Sequence, residues 1–303
     1  MHNLHPGPIT IVNSFEIVDC LECKFMHVIL EEGAIESNQE KYTTHYYNSE
    51  KPTYISENEA DLSWWNFTYS SRIRTAQKLS ATNILNWLDI GTGPGLFLEA
   101  AELLGMQALG IEPSVQAYEY AKSRGHEVIN DFFNSENSKK IGKFDAIHTS
   151  AVLEHIPDPE TFLSNVRNCL SEDGVLVVVV PNDNNPIQEI FTRNSSKPKW
   201  WLAPPFHLNY FTHQSLQKLL QKSGFEVIKS TSSFPIDFFL LMGDDYIGND
   251  QVGKEAHQRR KNFENNFEKA EKLELLESLY SKLSDLGLGR EIVMFARPTK
   301  AQV

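Results

Sequence analysis

A short run constrains this chain more than any other: Trp87-Leu88-Asp89-Ile90, then Gly91-Thr92-Gly93-Pro94-Gly95, then Leu96-Phe97-Leu98. Its first part reads as a buried strand, its last part opens a helix, and three alternate glycines turn one into the other. Glycines at 91, 93 and 95 remove Cβ atoms that would hold a ligand off the backbone. Unpaired N–H groups at the start of the following helix suit an anionic end of that ligand.

The glycine spacing selects between cofactors. A dinucleotide fingerprint wants its third glycine where Leu96 stands, so the G-x-G-x-G pattern favours S-adenosylmethionine over NAD. Leu109-Gly110-Ile111-Glu112 is a second apolar strand, and its acid lies 21 residues after Gly91, placed to accept hydrogen bonds from both ribose hydroxyls. A third strand leads to Asp131 and Phe132, an acid for an adenine amino group and a ring to pack on it. A fourth, 144–150, ends at Ser150 and runs into Ala151-Val152-Leu153-Glu154-His155. Helices are expected near 95–104, 114–124 and 159–170, and Asp173-Gly174 is expected to turn the chain into a doubly covered apolar strand at 175–180. A further helix from Thr212, ended by Gly224, precedes a sixth strand at 225–228.

With these motifs in order, the chain resembles the class I S-adenosylmethionine-dependent methyltransferases, and more narrowly the small-molecule branch (sugar, quinone and antibiotic type) with its "VLEH" turn after strand four. The resemblance covers residues 80–232 and a last strand at 290–297. It implies an α/β, Rossmann-like seven-stranded sheet with an antiparallel last strand. It also implies that Gly91, Gly93 and Gly95 contact the methionine portion of the cofactor, Glu112 the ribose, Asp131 and Phe132 the adenine, and Ser150 and Ala151 the cofactor's inner edge.

Outside that core three segments stand apart. Residues 1–40 read as a small β appendage with a hairpin at 9–12 and 15–18, closed by Cys20-Leu21-Glu22-Cys23. Related methyltransferases often begin with a zinc-ribbon-like segment ending in such a knuckle. Here half the site would have to come from His2-x-x-His5 or His27, and Lys24 replaces the usual glycine, so the segment reads as a metal-free remnant with bound zinc as the alternative. Residues 41–79 form an aromatic-rich helical cover in which Leu62, Trp65, Tyr69 and Ile73 share a stripe; Tyr46 and Tyr47 are either packing residues or part of a lid over the cofactor. The methyltransferase domain then spans 80–303, with a helical insertion at 234–289 before the last strand. In that insertion Leu273, Leu276, Leu279, Tyr280 and Leu283 form a packing stripe for the body or for a second subunit, a homo-oligomer contact through 251–285.

Methyl transfer from a sulfonium needs chiefly positioning and exclusion of water, and an oxygen acceptor adds the need for a base. His207, in Pro204-Pro205-Phe206-His207-Leu208-Asn209-Tyr210-Phe211, and His155 are the catalytic candidates. A small polar acceptor, first of all a sugar or nucleotide-linked sugar, would find hydroxyl partners in Asn182, Asp183, Asn184, Asn185, Asp237 and Asp244. Lys plus Arg number 28 against 40 acids, which argues against nucleic acid as partner. The basic cluster 258–261 reads as a solvated helix face. No apolar run is long enough to cross a bilayer, no leader is evident, and three cysteines make no disulfide framework, so a cytoplasmic protein is expected. A nicotinamide-type oxidoreductase and a non-catalytic cofactor-binding protein are the rival readings.

Overall fold

The computed structural model describes residues 5–30, 43 and 53–299. Tyr46 and Tyr47, and with them the lid reading, lie outside the described residues, as does His2. The chain divides into two compact units. One gathers the N-terminal residues to 29 with 179–218 and 229–294; the other gathers 30–178, 219–228 and the residues from 295 on.

The strands β4 (Asn86–Ile90), β5 (Gln107–Ile111), β6 (Glu127–Ile129), β7 (Phe144–Ser150), β8 (Leu170–Pro181), β10 (Phe225–Ser232) and β11 (Glu291–Pro298) form one sheet in the order β10-β11-β8-β7-β4-β5-β6. β4 pairs in parallel with β5 and β7, and β5 with β6, while the last strand is antiparallel. The helices α3 (Leu96–Leu103), α4 (Val115–Ser123) and α5 (Pro159–Cys169) alternate with these strands as expected. Right-handed crossovers of this kind align the carboxyl ends of β4, β5, β6 and β7 along one edge. The expected turn at Asp173-Gly174 is absent, because β8 already begins at Leu170. Gly174 serves close approach instead: a Cβ there would lie 2.7 Å from Leu170 Cδ1 and 3.0 Å from the Asp145 carbonyl oxygen. Val175, Leu176 and the four valines after them are at most 1% exposed, so this stretch of β8 is covered on both faces.

In the unit that gathers 30–178, α1 (Tyr54–Ala60) leads into α2 (Leu62–Leu79). The buried residues of α2 are Trp64, Arg72, Ile73, Thr75 and Ala76, so Ile73 of the expected stripe is buried while Trp64 takes the place expected of Trp65. Trp65 instead stacks on Tyr69 at 5.4 Å.

In the other unit, β1 (Ile9–Val12), β2 (Phe15–Asp19), β3 (Met26–Val28) and β9 (Asn209–Tyr210) form an antiparallel sheet in that order. Asn13 and Ser14 both have positive φ, 48° and 68°, the two-residue turn that suits the twist of a hairpin. The helices α6 (Pro186–Asn194), α7 (His213–Lys222) and the short α8 (Phe238–Leu241) follow, and the insertion folds into α9 (Asp250–Lys269) and α10 (Leu273–Asp285). Leu276 is buried, the Tyr280 hydroxyl donates to Glu264 on α9 at 2.7 Å, and Leu279 stays 38% exposed. The basic cluster is only half solvated: Arg260 is 7% exposed beside Glu264, and Arg259 pairs with Asp244 at 2.7 Å while lying over the Phe239 ring. Among the described residues no helix is long and apolar enough to cross a membrane.

Candidate active site

The glycine turn and Glu112 are one hydrogen-bonded assembly. The N–H groups of Gly91 and Thr92 donate to the Ile111 carbonyl at 2.8 and 3.1 Å, which fastens the turn to the end of β5. Gly93 N–H then donates to Glu112 Oε2 at 2.8 Å and Ser114 N–H to Oε1 at 2.9 Å. Each carboxylate oxygen keeps lone-pair capacity for another donor. Glu112 is 1% exposed, and burial pushes its carboxyl up to about 7; the two N–H groups pull the other way and the neighbouring Asp89 adds to the rise. From the other side, Asn130 Nδ2 donates to the Glu112 carbonyl at 2.8 Å.

The glycines are demanded first by the protein itself. At Gly91, with φ of 74°, a Cβ would lie 2.3 Å from Val152 Cγ2; at Gly95, with φ of 88°, it would lie 2.7 Å from the His126 ring. The reading that these positions clear space for a ligand is therefore incomplete. Gly95 also stands at the N-terminal cap of α3, where its carbonyl accepts from Glu99 N–H at 3.0 Å and no side chain caps the N–H groups of the first turn.

Asp131 is exposed and folded onto its own turn, Oδ1 accepting from Phe132 N–H at 2.8 Å and Oδ2 from Asn137 Nδ2 at 3.2 Å. Phe132 is half-buried beside it. Ser150 ends β7, and Ala151 follows in left-handed conformation with φ of 55°. Leu153–His155 is a single 3-10 turn in which Leu153 and Glu154 are buried and the His155 side chain is 18% exposed, its Nε2 lying 3.9 Å from Glu154 Oε1.

Sequence reasoning missed a buried group behind the turn. His148 on β7 lies 2.7 Å from Asp89 Oδ1 on β4, stacks on Phe97 at 4.1 Å and meets the edge of Tyr69. The available signal was a histidine directly after the apolar pair Ala146-Ile147 of this strand, 59 residues from its partner.

The acceptor-side candidates lie in the unit that holds β9. His207 N–H donates to the Ala203 carbonyl at 3.0 Å, and the Tyr210 hydroxyl donates to the His207 carbonyl at 2.9 Å. Most of the polar set expected to meet hydroxyls is committed internally. Asn182 Nδ2 bonds the carbonyls of Gly287 and Gly289, Asn185 caps α6 and donates to Asp237, and Tyr246 donates to Asp237 in turn. Asp183 differs. It is 2% exposed, its Oδ2 has no hydrogen-bond partner among the described residues, and burial pushes its carboxyl up to about 7, with Arg290 opposing and Asp237 reinforcing. Also missed was His213, held by the hydroxyls of Ser230, Ser284 and Ser232 at 3.0–3.3 Å and lowered by burial to about 4.

Comparison with known proteins bears on this arrangement. The family model described as a methyltransferase domain matches residues 46–230. The ubiquinone biosynthesis O-methyltransferase of Rhodopseudomonas palustris (strain TIE-1) is 35% identical over 116 residues, 37% of this chain and 46% of that protein. Its namesake in Actinobacillus pleuropneumoniae serotype 5b (strain L20) is 31% identical over 99 residues, 29% of this chain and 42% of that one. The chain thus spans about half the length of the curated relatives it matches. Among solved structures, the plantazolicin methyltransferase BpumL in complex with a triazolic desmethylPZN analog and SAH aligns with a TM-score of 0.53 over 89% of this chain and all of that one. At 14% identity this is a likeness of fold.

Proposed function

The chain belongs to the methyltransferase-domain family, and from that premise we propose that it transfers a methyl group from S-adenosylmethionine to an oxygen of a small polar acceptor. The observation that carries the cofactor reading is the Glu112 clamp: a buried acid at the end of β5, with one main-chain donor on each oxygen. Two ribose hydroxyls would complete its coordination with charge-assisted hydrogen bonds, each worth about 1.5–3 kcal/mol. Gly91, Gly93 and Gly95 would carry the methionine portion, Asp131 and Phe132 the adenine, and Ser150 and Ala151 the inner edge. Family membership speaks against the nicotinamide oxidoreductase reading.

The cofactor brings an activated methyl group; the chain supplies orientation, dryness and a proton acceptor. His207 takes up the proton of an acceptor hydroxyl, the task for which an imidazole is the commonest side chain. His155 is its alternative among the residues next to the cofactor turn. Asp183 joins them, since a buried carboxyl near 7 with an oxygen to spare is poised for proton exchange. The preferred acceptor is a sugar or nucleotide-linked sugar. A second reading, an acceptor of the ubiquinone-biosynthesis kind, is favoured by the names of the curated relatives. Turnover measured on parallel panels of nucleotide sugars and quinone-type precursors decides between them. Tight binding of S-adenosylhomocysteine with no turnover on either panel would support the non-catalytic reading.

A further inference from the structure

One ring nitrogen each from His5 and His27 and the thiols of Cys20 and Cys23 offer four donor atoms that all lie within 4.8 Å of one another. His5 Nδ1 is 3.6 Å from Cys20 Sγ and 3.4 Å from Cys23 Sγ. A tetrahedral ion with Zn–S of about 2.3 Å and Zn–N of about 2.05 Å separates sulfur from nitrogen by about 3.6 Å. The observed edges match that figure. His27 is 9% exposed, and its Nε2 has no hydrogen-bond partner among the described residues, a costly state for a buried ring nitrogen unless something else takes its lone pair. Its Nδ1 lies 3.2 Å from the Val28 carbonyl, the backbone contact that commonly orients a ligating imidazole.

The loop between the cysteines has the shape of a metal knuckle. Cys23 N–H donates to Cys20 Sγ at 3.3 Å and Lys24 N–H to the Cys20 carbonyl at 2.9 Å. Lys24 adopts φ of 66°, so the backbone reaches the left-handed conformation that a glycine there would have supplied. The departure at Lys24 therefore does not spoil the knuckle. One histidine comes from each of the two places the sequence offered, with His27 delivered by pairing of β2 with β3.

We infer that His5, Cys20, Cys23 and His27 form a closed, structural zinc site. Two thiolates and two neutral imidazoles balance the charge of a divalent ion, and four protein donors leave no open position, which is the structural rather than the catalytic pattern. The ion pins the β2–β3 hairpin and adds to the small core of Ile17, Val18, Phe25 and Val28. It also steadies the ladder in which β3 meets β9, where His27 pairs with Asn209 and Val28 N–H donates to the Leu208 carbonyl at 2.8 Å, directly beside His207. The assignment stands independently of the methyl-transfer reading.

The test is metal content of the full chain purified without added metal, by plasma mass spectrometry, with Co(II) exchange as the geometric probe. The expected result is about one zinc per chain and an intense tetrahedral Co(II) spectrum with thiolate charge-transfer bands. Cys20→Ser with Cys23→Ser and, separately, His27→Ala should lose the metal, whereas Cys169→Ser keeps it. Because the double variant can fail to fold, His5→Cys provides a second arm: it should retain zinc and raise the charge-transfer intensity by adding a third thiolate. A folded wild-type chain with less than about 0.1 zinc and no tetrahedral Co(II) spectrum would overturn the assignment. So would a Cys20–Cys23 disulfide in the purified protein, or zinc that survives loss of both cysteines.

Discussion

Two buried carboxylates, one in each unit, are both pushed up to about 7 by desolvation, yet they are built differently. Glu112 has a main-chain N–H on each oxygen, from Gly93 and Ser114, within a turn where Gly91 and Gly95 admit no side chain. Asp183 has an oxygen with no hydrogen-bond partner among the described residues, and its relief comes from the charge of Arg290. The difference separates two tasks. A carboxylate held by two backbone donors is positioned before any ligand arrives, as a receptor must be. One with a bare oxygen is primed to exchange a proton or gain a partner.

The largest effect that would sharpen this contrast is on turnover. His207→Gln should lower the rate by about 10² to 10⁴ with cofactor affinity intact, if the imidazole is the general base. Near-normal turnover together with a lowered thermal midpoint would instead make His207 a structural residue. Asp183→Asn, measured in the same assay, should cost less, about 10- to 100-fold, and remove from the pH profile the limb near 7 that the Asp183 carboxyl contributes. An unchanged rate and pH profile removes Asp183 from the chemistry.

Stability effects come next. Gly95→Val must accommodate both a positive φ and a Cβ 2.7 Å from the His126 ring, so a loss of about 2–4 kcal/mol is expected in denaturant unfolding. A neutral outcome would mean that the turn and the His126 ring shift apart at little cost. Smaller still is the contribution of His213, whose folded pKa of about 4 lies below its ordinary value. A depressed histidine gives stability that is present above about pH 6.5 and is lost as pH falls toward 4, up to about 3 kcal/mol in all. His213→Gln should flatten that part of the stability curve, and an unchanged curve would place the acid sensitivity elsewhere.

What could be read from the chain tracks the range of the interactions. The order of strands and helices, the glycine turn and the acid at the end of β5 are local patterns of apolar residues and glycines, and they reappear at the expected positions. Gly174 was misread because a glycine within a strand and a glycine in a turn look alike until the neighbouring Leu170 side chain is in place. Trp65 lost its buried place to Trp64 because one residue on a helix is a rotation of about 100°, and aromatic residues at both positions leave the phase undetermined. The Asp89–His148 pair and the His5, Cys20, Cys23 and His27 cluster depend on strand pairing across many residues, which spacing alone does not encode.

The central claim is that Glu112 is a preformed receptor for the ribose diol of S-adenosylmethionine. Calorimetric titration with S-adenosylhomocysteine from pH 6 to 8, on the wild type and on Glu112→Gln, tests it most directly. Ribose hydroxyls donate to the ionised carboxylate, so wild-type affinity should weaken as pH falls through about 7, approaching tenfold per unit below it. The variant should bind about tenfold or more weakly at pH 8 and show no such dependence. A folded Glu112→Gln protein that binds as tightly as wild type, or a wild-type affinity indifferent to pH across this range, would contradict the account.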